Sequence, residues 1–270
     1  MAPAESAAPV PKGGDHEVVI KVRDLVVGFG ERNVIDGFDL DVRRGEILGV
    51  VGPSGAGKSV TLRAIIGLLP KKAGTVEVFG VDMDKATWDE RLAIERRWGV
   101  LFQQGALFSS LTVKQNIEMP LREHTHISAK LRDEIARLKI ELVGLKPEAA
   151  DLFPAELSGG MIKRAALARA LSLDPDIVFL DEPTAGLDPI GANAFDRLIM
   201  TLKDTLGLTV YMVTHDLDSL TTVCDRIAAL KGGKLIAVGP MSEMVRNDDP
   251  WMQEYFRGER ARAAGIGAAA

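Results

Sequence analysis

One stretch, Gly52-Pro53-Ser54-Gly55-Ala56-Gly57-Lys58-Ser59, constrains this chain more than any other. It follows the apolar run Ile47-Leu48-Gly49-Val50-Val51 and precedes Leu62, Ile65, Ile66 and Leu69 at helical spacing. Strand, glycine-rich turn and helix in that order make G-x-x-x-x-G-K-S a cradle for phosphate. The glycines let backbone N–H groups turn inward around an anion, and the helix N-terminus adds the positive end of its dipole. Lys58 is expected to reach the outer phosphates and the Ser59 hydroxyl to ligate Mg2+. A nucleotide is therefore the expected ligand, and its use has to be read elsewhere in the chain.

The surrounding sequence fits an α/β domain. With 270 residues, 46% hydrophobic and 26% charged, the chain has enough apolar material for one large domain or two small ones. A net charge of −5 argues against a surface that coats nucleic acid. The single cysteine, Cys224, has no partner for a disulfide and no neighbouring ligands for a metal, so a buried, inert thiol is expected. Residues 1–16 are rich in Ala, Pro and Gly and have neither a cationic start nor an apolar core, so they read as a flexible tail rather than a secretory signal. Residues 258–270 read as a second tail. No apolar run approaches the ~20 residues a spanning helix needs, so membrane contact would have to come through partners.

From Glu17 to about Asp82 the alternation predicts short strands at Val18–Ile20, Leu25–Val27, Leu40–Val42 and Thr75–Phe79. Residues 84–98 predict a surface helix, and Gly99–Phe102 a strand ending at Gln103. Ile127, Leu131, Ile135, Leu138, Leu142 and Leu145 form a helical stripe expected to face the core, with Gly144 and Pro147 at its end. Another helix should follow Ser158-Gly159-Gly160. Two apolar runs end in polar pairs: Ile177–Leu180 in Asp181-Glu182, and Val210–Val213 in Thr214-His215. Such runs suit a parallel sheet covered on both faces, with function at the carboxyl ends of its strands. No linker divides the chain. Residues 17–257 read as a single domain, with about 105–157 inserted into it as a helical part.

Asp181 is placed to hold Mg2+ and Glu182 to orient or deprotonate a water attacking the γ-phosphate. Asp-Glu pairs are also common in plain turns, and the cradle in the same chain selects the functional reading. Ser158, Gly159 and Gly160 open a helix and offer a second anion site, which suggests that two copies share each nucleotide. His215, at the end of its own strand, is placed to hydrogen-bond the γ-phosphate.

Together these stretches resemble the ABC ATPase family. Gly52–Ser59 matches its Walker A motif, Ile177–Glu182 its Walker B motif with the catalytic glutamate, and Leu157–Met161 its signature. Gln103 is similar to the Q-loop glutamine, Ala185-Gly186-Leu187-Asp188 to the D-loop, and His215 to the switch histidine. The resemblance implies an α/β P-loop NTPase fold of the ABC type, with an N-terminal antiparallel β subdomain and an inserted helical subdomain. It implies ATP and Mg2+ as cofactors, and a head-to-tail dimer in which Walker A of one copy faces Ser158–Gly160 of the other. Nucleotide contacts would come from Phe29, stacked on adenine, and from Gly52 through Val60, Ser158–Gly160 and Asp188. Ser59, Gln103 and Asp181 would hold the metal, and Glu182, His215 and Gln103 would serve catalysis.

The signature ends in Met161 where the family usually has glutamine. That departure, with Phe102–Phe108 and Pro120–Thr125, resembles the MlaF-like branch, ATPases of transporters that move phospholipids with MCE-domain proteins. The resemblance implies an MlaE-like permease, an MlaD-like MCE protein and often an MlaB-like STAS subunit as partners. Residues 103–125 are where the family receives a coupling helix from the permease, and the chain would sit at the cytoplasmic face of the inner membrane. The alternative is an ATPase of an importer for amino acids or another small solute. A nucleic-acid role is disfavoured by the single acidic cassette. The segment Trp251–Phe256, with three aromatics, could pack on its own domain or reach a neighbour, and packing, the commoner use, is the expectation.

Overall fold

Alternate residues of the central strands face two different cores in this molecule, a computed structural model that describes residues 17–258 and Ala261. Both predicted tails lie outside the described residues, apart from Gly258 and Ala261. In chain order, β1 (Val18–Phe29) and β2 (Arg32–Arg43) form a long hairpin, and β3 (Ile47–Val51) leads into α1 (Lys58–Ile65). Next come β4 (Ala73–Val78), β5 (Val81–Asp82), α2 (Trp88–Glu95) and β6 (Trp98–Leu101). A helical stretch holds α3 (Val113–His124) and α4 (Ala129–Leu142), then two short 3-10 turns at Pro147–Asp151 and Pro154–Glu156. Then follow α5 (Gly159–Ala170), β7 (Ile177–Asp181), α6 (Pro189–Leu206), β8 (Thr209–Val213) and α7 (Leu217–Val223). The described chain closes with β9 (Arg226–Lys231), β10 (Lys234–Gly239), α8 (Met241–Arg246) and α9 (Pro250–Arg257).

Four strands, in the order β2-β1-β4-β5, make an antiparallel sheet; six, in the order β10-β9-β3-β8-β7-β6, make the second, parallel except for β10 at its edge. In the second sheet, Leu48, Val50, Phe179, Tyr211 and Val213 face the antiparallel sheet and α1, while Ile47, Val178, Leu180, Val210 and Met212 face the helices α3 to α6. Every residue of β3, β7 and β8 is buried, as strands covered on both faces require. A third, smaller core lies under α7, α8 and α9, around Val51, Leu220, Met252 and Phe256.

Three local expectations change. The apolar runs at Val18–Ile20 and Leu25–Val27 belong to one strand, interrupted by a register shift where Asp24 takes φ +49°. The leucine stripe of α4 meets the core only at its end, where Leu145 is buried and Leu142 packs against the core. Leu131 and Leu138 are exposed, while Ala136, Ile140 and Val143 are buried at positions i, i+4 and i+7. The helix is rotated so that Ala136 and Ile140 face the core, and Lys139 beside them reaches Asp174. Helix α3 is an addition: Thr112 and Gln115 close a capping box at its start, and Pro120 sits inside it.

Candidate active site

The strand order β3-β8-β7-β6 brings the carboxyl ends of four strands side by side, and each is followed by a residue singled out from sequence. β3 runs into the glycine-rich turn, β8 into His215, β7 into Asp181 and Glu182, and β6 toward Gln103. Backbone bonds lock these ends together: Thr214 N–H donates to Val50 O at 3.2 Å, and Glu182 N–H to Val213 O at 2.9 Å.

The turn is shaped by its glycines. Gly57, at the N-cap of α1, has φ +101°, and a Cβ there would run into the side chain of Ile35 on β2. Lys58 Nζ donates to the carbonyls of Gly52 at 2.9 Å and Pro53 at 3.3 Å, which holds the ammonium across the mouth of the loop. Burial pulls its pKa below the usual lysine value, against the pull of Glu182 and Asp181. Ser59 Oγ donates to Asp181 Oδ1 at 2.8 Å. Two hard oxygens meeting in this way suit Mg2+ rather than a softer metal. Among the described residues no group of three His, Cys, Asp or Glu gathers, so a divalent ion here would complete its shell from water and phosphate.

Glu182 stands out in two respects. Its backbone is in the left-handed region, at φ +51°, and its Oε2 lies 2.6 Å from His215 Nδ1. Non-glycine residues held there tend to cluster at functional sites. The pairing links the ends of β7 and β8 and leaves the second carboxylate oxygen, Oε1, free to meet a water.

The side chains of the remaining predicted residues make no hydrogen bond to this cluster among the described residues. Phe29, at the tip of the β1–β2 hairpin, is 60% exposed and so does not serve core packing. Gln103 is exposed, and its carbonyl rather than its amide is engaged. Ser158 caps α5 by accepting from Met161 N–H at 3.3 Å, and Gly159 has open space beside it. Asp188 caps α6 through Gly191 N–H at 2.9 Å. No hydrogen bond among the described residues joins Ser158–Gly160 or Asp188 to the turn at Gly52–Ser59.

A profile described as ABC transporter matches residues 35–185. The chain belongs to the ABC transporter family. As an ABC ATPase it binds ATP and hydrolyses it. Among similar proteins is the intermembrane phospholipid transport system ATP-binding protein MlaF of Haemophilus influenzae, 38% identical over 241 residues, 89% of this chain and 91% of that one. The probable ribonucleotide transport ATP-binding protein mkl of Mycobacterium leprae is 38% identical over 258 residues, 94% of this chain and 74% of that one. Among solved structures, the dimeric ABC transporter cassette MJ0796 gives a TM-score of 0.76 at 31% identity, over 82% of this chain and 98% of that one. Another dimeric structure of the same cassette is a post-hydrolysis state bound to ADP and Pi.

Two residues at this ABC site carried no signal in the sequence reading. Lys163 of α5 is buried and donates to the carbonyls of Gln103 and Glu182. Tyr255 of α9 donates its hydroxyl to the carbonyl of His215 at 3.0 Å. A charged residue inside the alanine-rich run of α5 was the one visible hint for the first; the aromatic cluster of α9 was the hint for the second. Beside the site, where β6, α3 and α5 meet, a cleft of about 430 Å³ is lined by Leu68, Glu95, Trp98, Phe102, Pro120 and Arg169 among others.

Proposed function

We propose that this ABC ATPase powers phospholipid movement through a separate membrane permease, with an MCE-type lipid-binding protein in the same assembly and with the chain at the cytoplasmic face of the inner membrane. The observation that carries this reading is its 38% identity with the phospholipid-transport ATPase MlaF across nearly the full length of both chains. Identity is equal to mkl, but this chain accounts for 74% of that protein against 91% of MlaF. No helix among the described residues is long and apolar enough to cross a membrane, in keeping with an ATPase attached through its partners.

In this reading the turn at Gly52–Ser59 wraps the phosphates with its N–H groups, and Lys58 exchanges its two carbonyl partners for phosphate oxygens. Phe29 offers its exposed ring to adenine. Ser59, Asp181 and the side chain of Gln103 would hold Mg2+, which would supply neutralisation of phosphate charge. Glu182 accepts a proton from, or orients, the attacking water, and the Nδ1–H of His215 fixes the carboxylate that does so. Ser158, Gly159 and Gly160, turned away from their own turn, complete the site of a second copy. The cleft beside β6 receives a helix of the permease, and an MlaB-like subunit joins the assembly from outside.

Purification of the assembled complex from native membranes, with mass spectrometry of co-purifying proteins and lipids, tests this. An MCE-domain protein, a permease and bound phospholipid are expected. Recovery of a solute-importer permease without an MCE protein would overturn the lipid cargo and leave the ATPase untouched.

A further inference from the structure

Lys163 is 5% exposed on a helix whose other buried residues are all alanine or leucine. A buried ammonium has to be compensated, and among the described residues Lys163 forms no ion pair with a carboxylate. Its partners are two backbone carbonyls instead, Gln103 O after β6 and Glu182 O after β7, the second at 2.9 Å. One side chain thus ties α5 to the segments that follow two neighbouring strands of the catalytic edge.

The second partner is the informative one. Glu182 holds φ +51°, a region that disfavours a residue with a Cβ, so its conformation must be imposed by its surroundings. Its N–H is fixed by Val213 O at 2.9 Å, and its carbonyl accepts from Lys163 at 2.9 Å and, at a longer 3.3 Å, from Ala185 N–H. Between those two anchors the carboxylate is delivered to His215 Nδ1.

We propose that Lys163 is a positioning residue for hydrolysis, holding Glu182 in the backbone conformation that aims its carboxylate while fixing the Gln103 peptide beside it. Because α5 begins at Ser158-Gly159-Gly160, the helix that offers its N-terminus outward also sets the glutamate of its own chain. A displacement of α5 is thereby transmitted to the Glu182 backbone through a single side chain.

The test compares Lys163→Met, Lys163→Arg and Lys163→Gln with the wild-type full-length chain, by steady-state ATPase kinetics, equilibrium ATP binding and thermal melting. Lys163→Met is expected to lower kcat roughly ten- to a hundredfold, the scale of a misaimed catalytic group, with KM and ATP affinity within about threefold. Lys163→Arg, which keeps the charge and can still donate to both carbonyls, should recover most of kcat. A Lys163→Met protein with kcat within about twofold of wild type overturns the proposal. So does a loss of ATP affinity or melting temperature that matches the loss of kcat, since packing damage alone would produce it. If Lys163→Met does not fold, Lys163→Gln is read by the same criteria: lowered kcat at preserved affinity supports the role, and wild-type kcat overturns it.

Discussion

At the scale of single residues, Glu182 and His215 define what the site can do with a proton. One oxygen of Glu182 is 2.6 Å from His215 Nδ1, and the other is free. Glutamine at position 182 would still accept from the imidazole but could not take a proton. Glu182→Gln is accordingly expected to lower kcat by about 10²–10⁴, the usual worth of a general base, while ATP affinity stays near wild type. Phosphate release and equilibrium nucleotide binding read the two effects separately, and undiminished hydrolysis would exclude Glu182 as the base. Residues of this kind were legible because turn, charge and flanking strand are contiguous in sequence. Lys163 was not, because its partners are carbonyls 60 and 19 positions away, and a carbonyl has no residue identity to read.

At the scale of elements, two helix contacts are open to test. Helices α6 and α7 meet at Asp196, a buried carboxylate that accepts from Ser219 Oγ at 2.7 Å through Oδ2 and leaves Oδ1 without a partner. Burial first, with Asp216 and Asp218 adding to it, pushes its pKa from 3.8 up to about 6, against the Ser219 bond. The folded state therefore binds the proton more tightly than the unfolded chain. Its contribution is fully present below about pH 4 and is lost as pH rises through 6, so at pH 8 the ionised group destabilises the fold. Asp196→Asn should raise the melting temperature above pH 7 by about 2–4 °C, the shift ~1 kcal/mol makes in a domain this size. The gain should shrink toward pH 5, and a pH-independent gain would exclude titration of Asp196 as the cause. Helix α9 supplies the second contact. Its Trp251 and Tyr255 rings stack at 4.9 Å, Met252 and Phe256 are buried, and the Tyr255 hydroxyl holds the His215 carbonyl. Tyr255→Phe keeps the packing and removes the bond, so kcat should fall about two- to tenfold, with little change in melting temperature. Equal losses of both would mark the residue as packing alone. The strands were readable from their apolar runs, and α9's docking on its own domain was legible in its aromatics. Helix α3 was hidden by Pro120, although Thr112 and Gln115 announce its start. The face of α4 was not legible because a second set at helical spacing, Ala136, Ile140 and Val143, competes with the stripe through Leu131 and Leu138, and contact with α3 and α5 selects it.

At the scale of the whole molecule, the candidate site residues do not all gather at one place in the chain. The turn at Gly52–Ser59, Asp181, Glu182 and His215 share one edge of the sheet, whereas Ser158–Gly160 cap a helix with open space beside Gly159 and no bond to that edge. A solved cassette of similar fold is a dimer. If two copies each complete the other's site, defects placed on opposite sides must complement. Lys58→Ala removes the cation of the turn, and Ser158→Arg blocks the outward helix end. In a mixed dimer both defects fall in one site, and the other is built wholly from intact parts. Each variant alone should be inactive, while an equal mixture, half of it mixed dimers with one sound site of two, should regain up to roughly a quarter of the wild-type rate. Were the site contained within a single chain, every chain in the mixture would carry a defect and mixing would restore nothing. ATPase activity measured before and after mixing separates the two architectures, and absence of any recovery would rule out a site shared across the dimer.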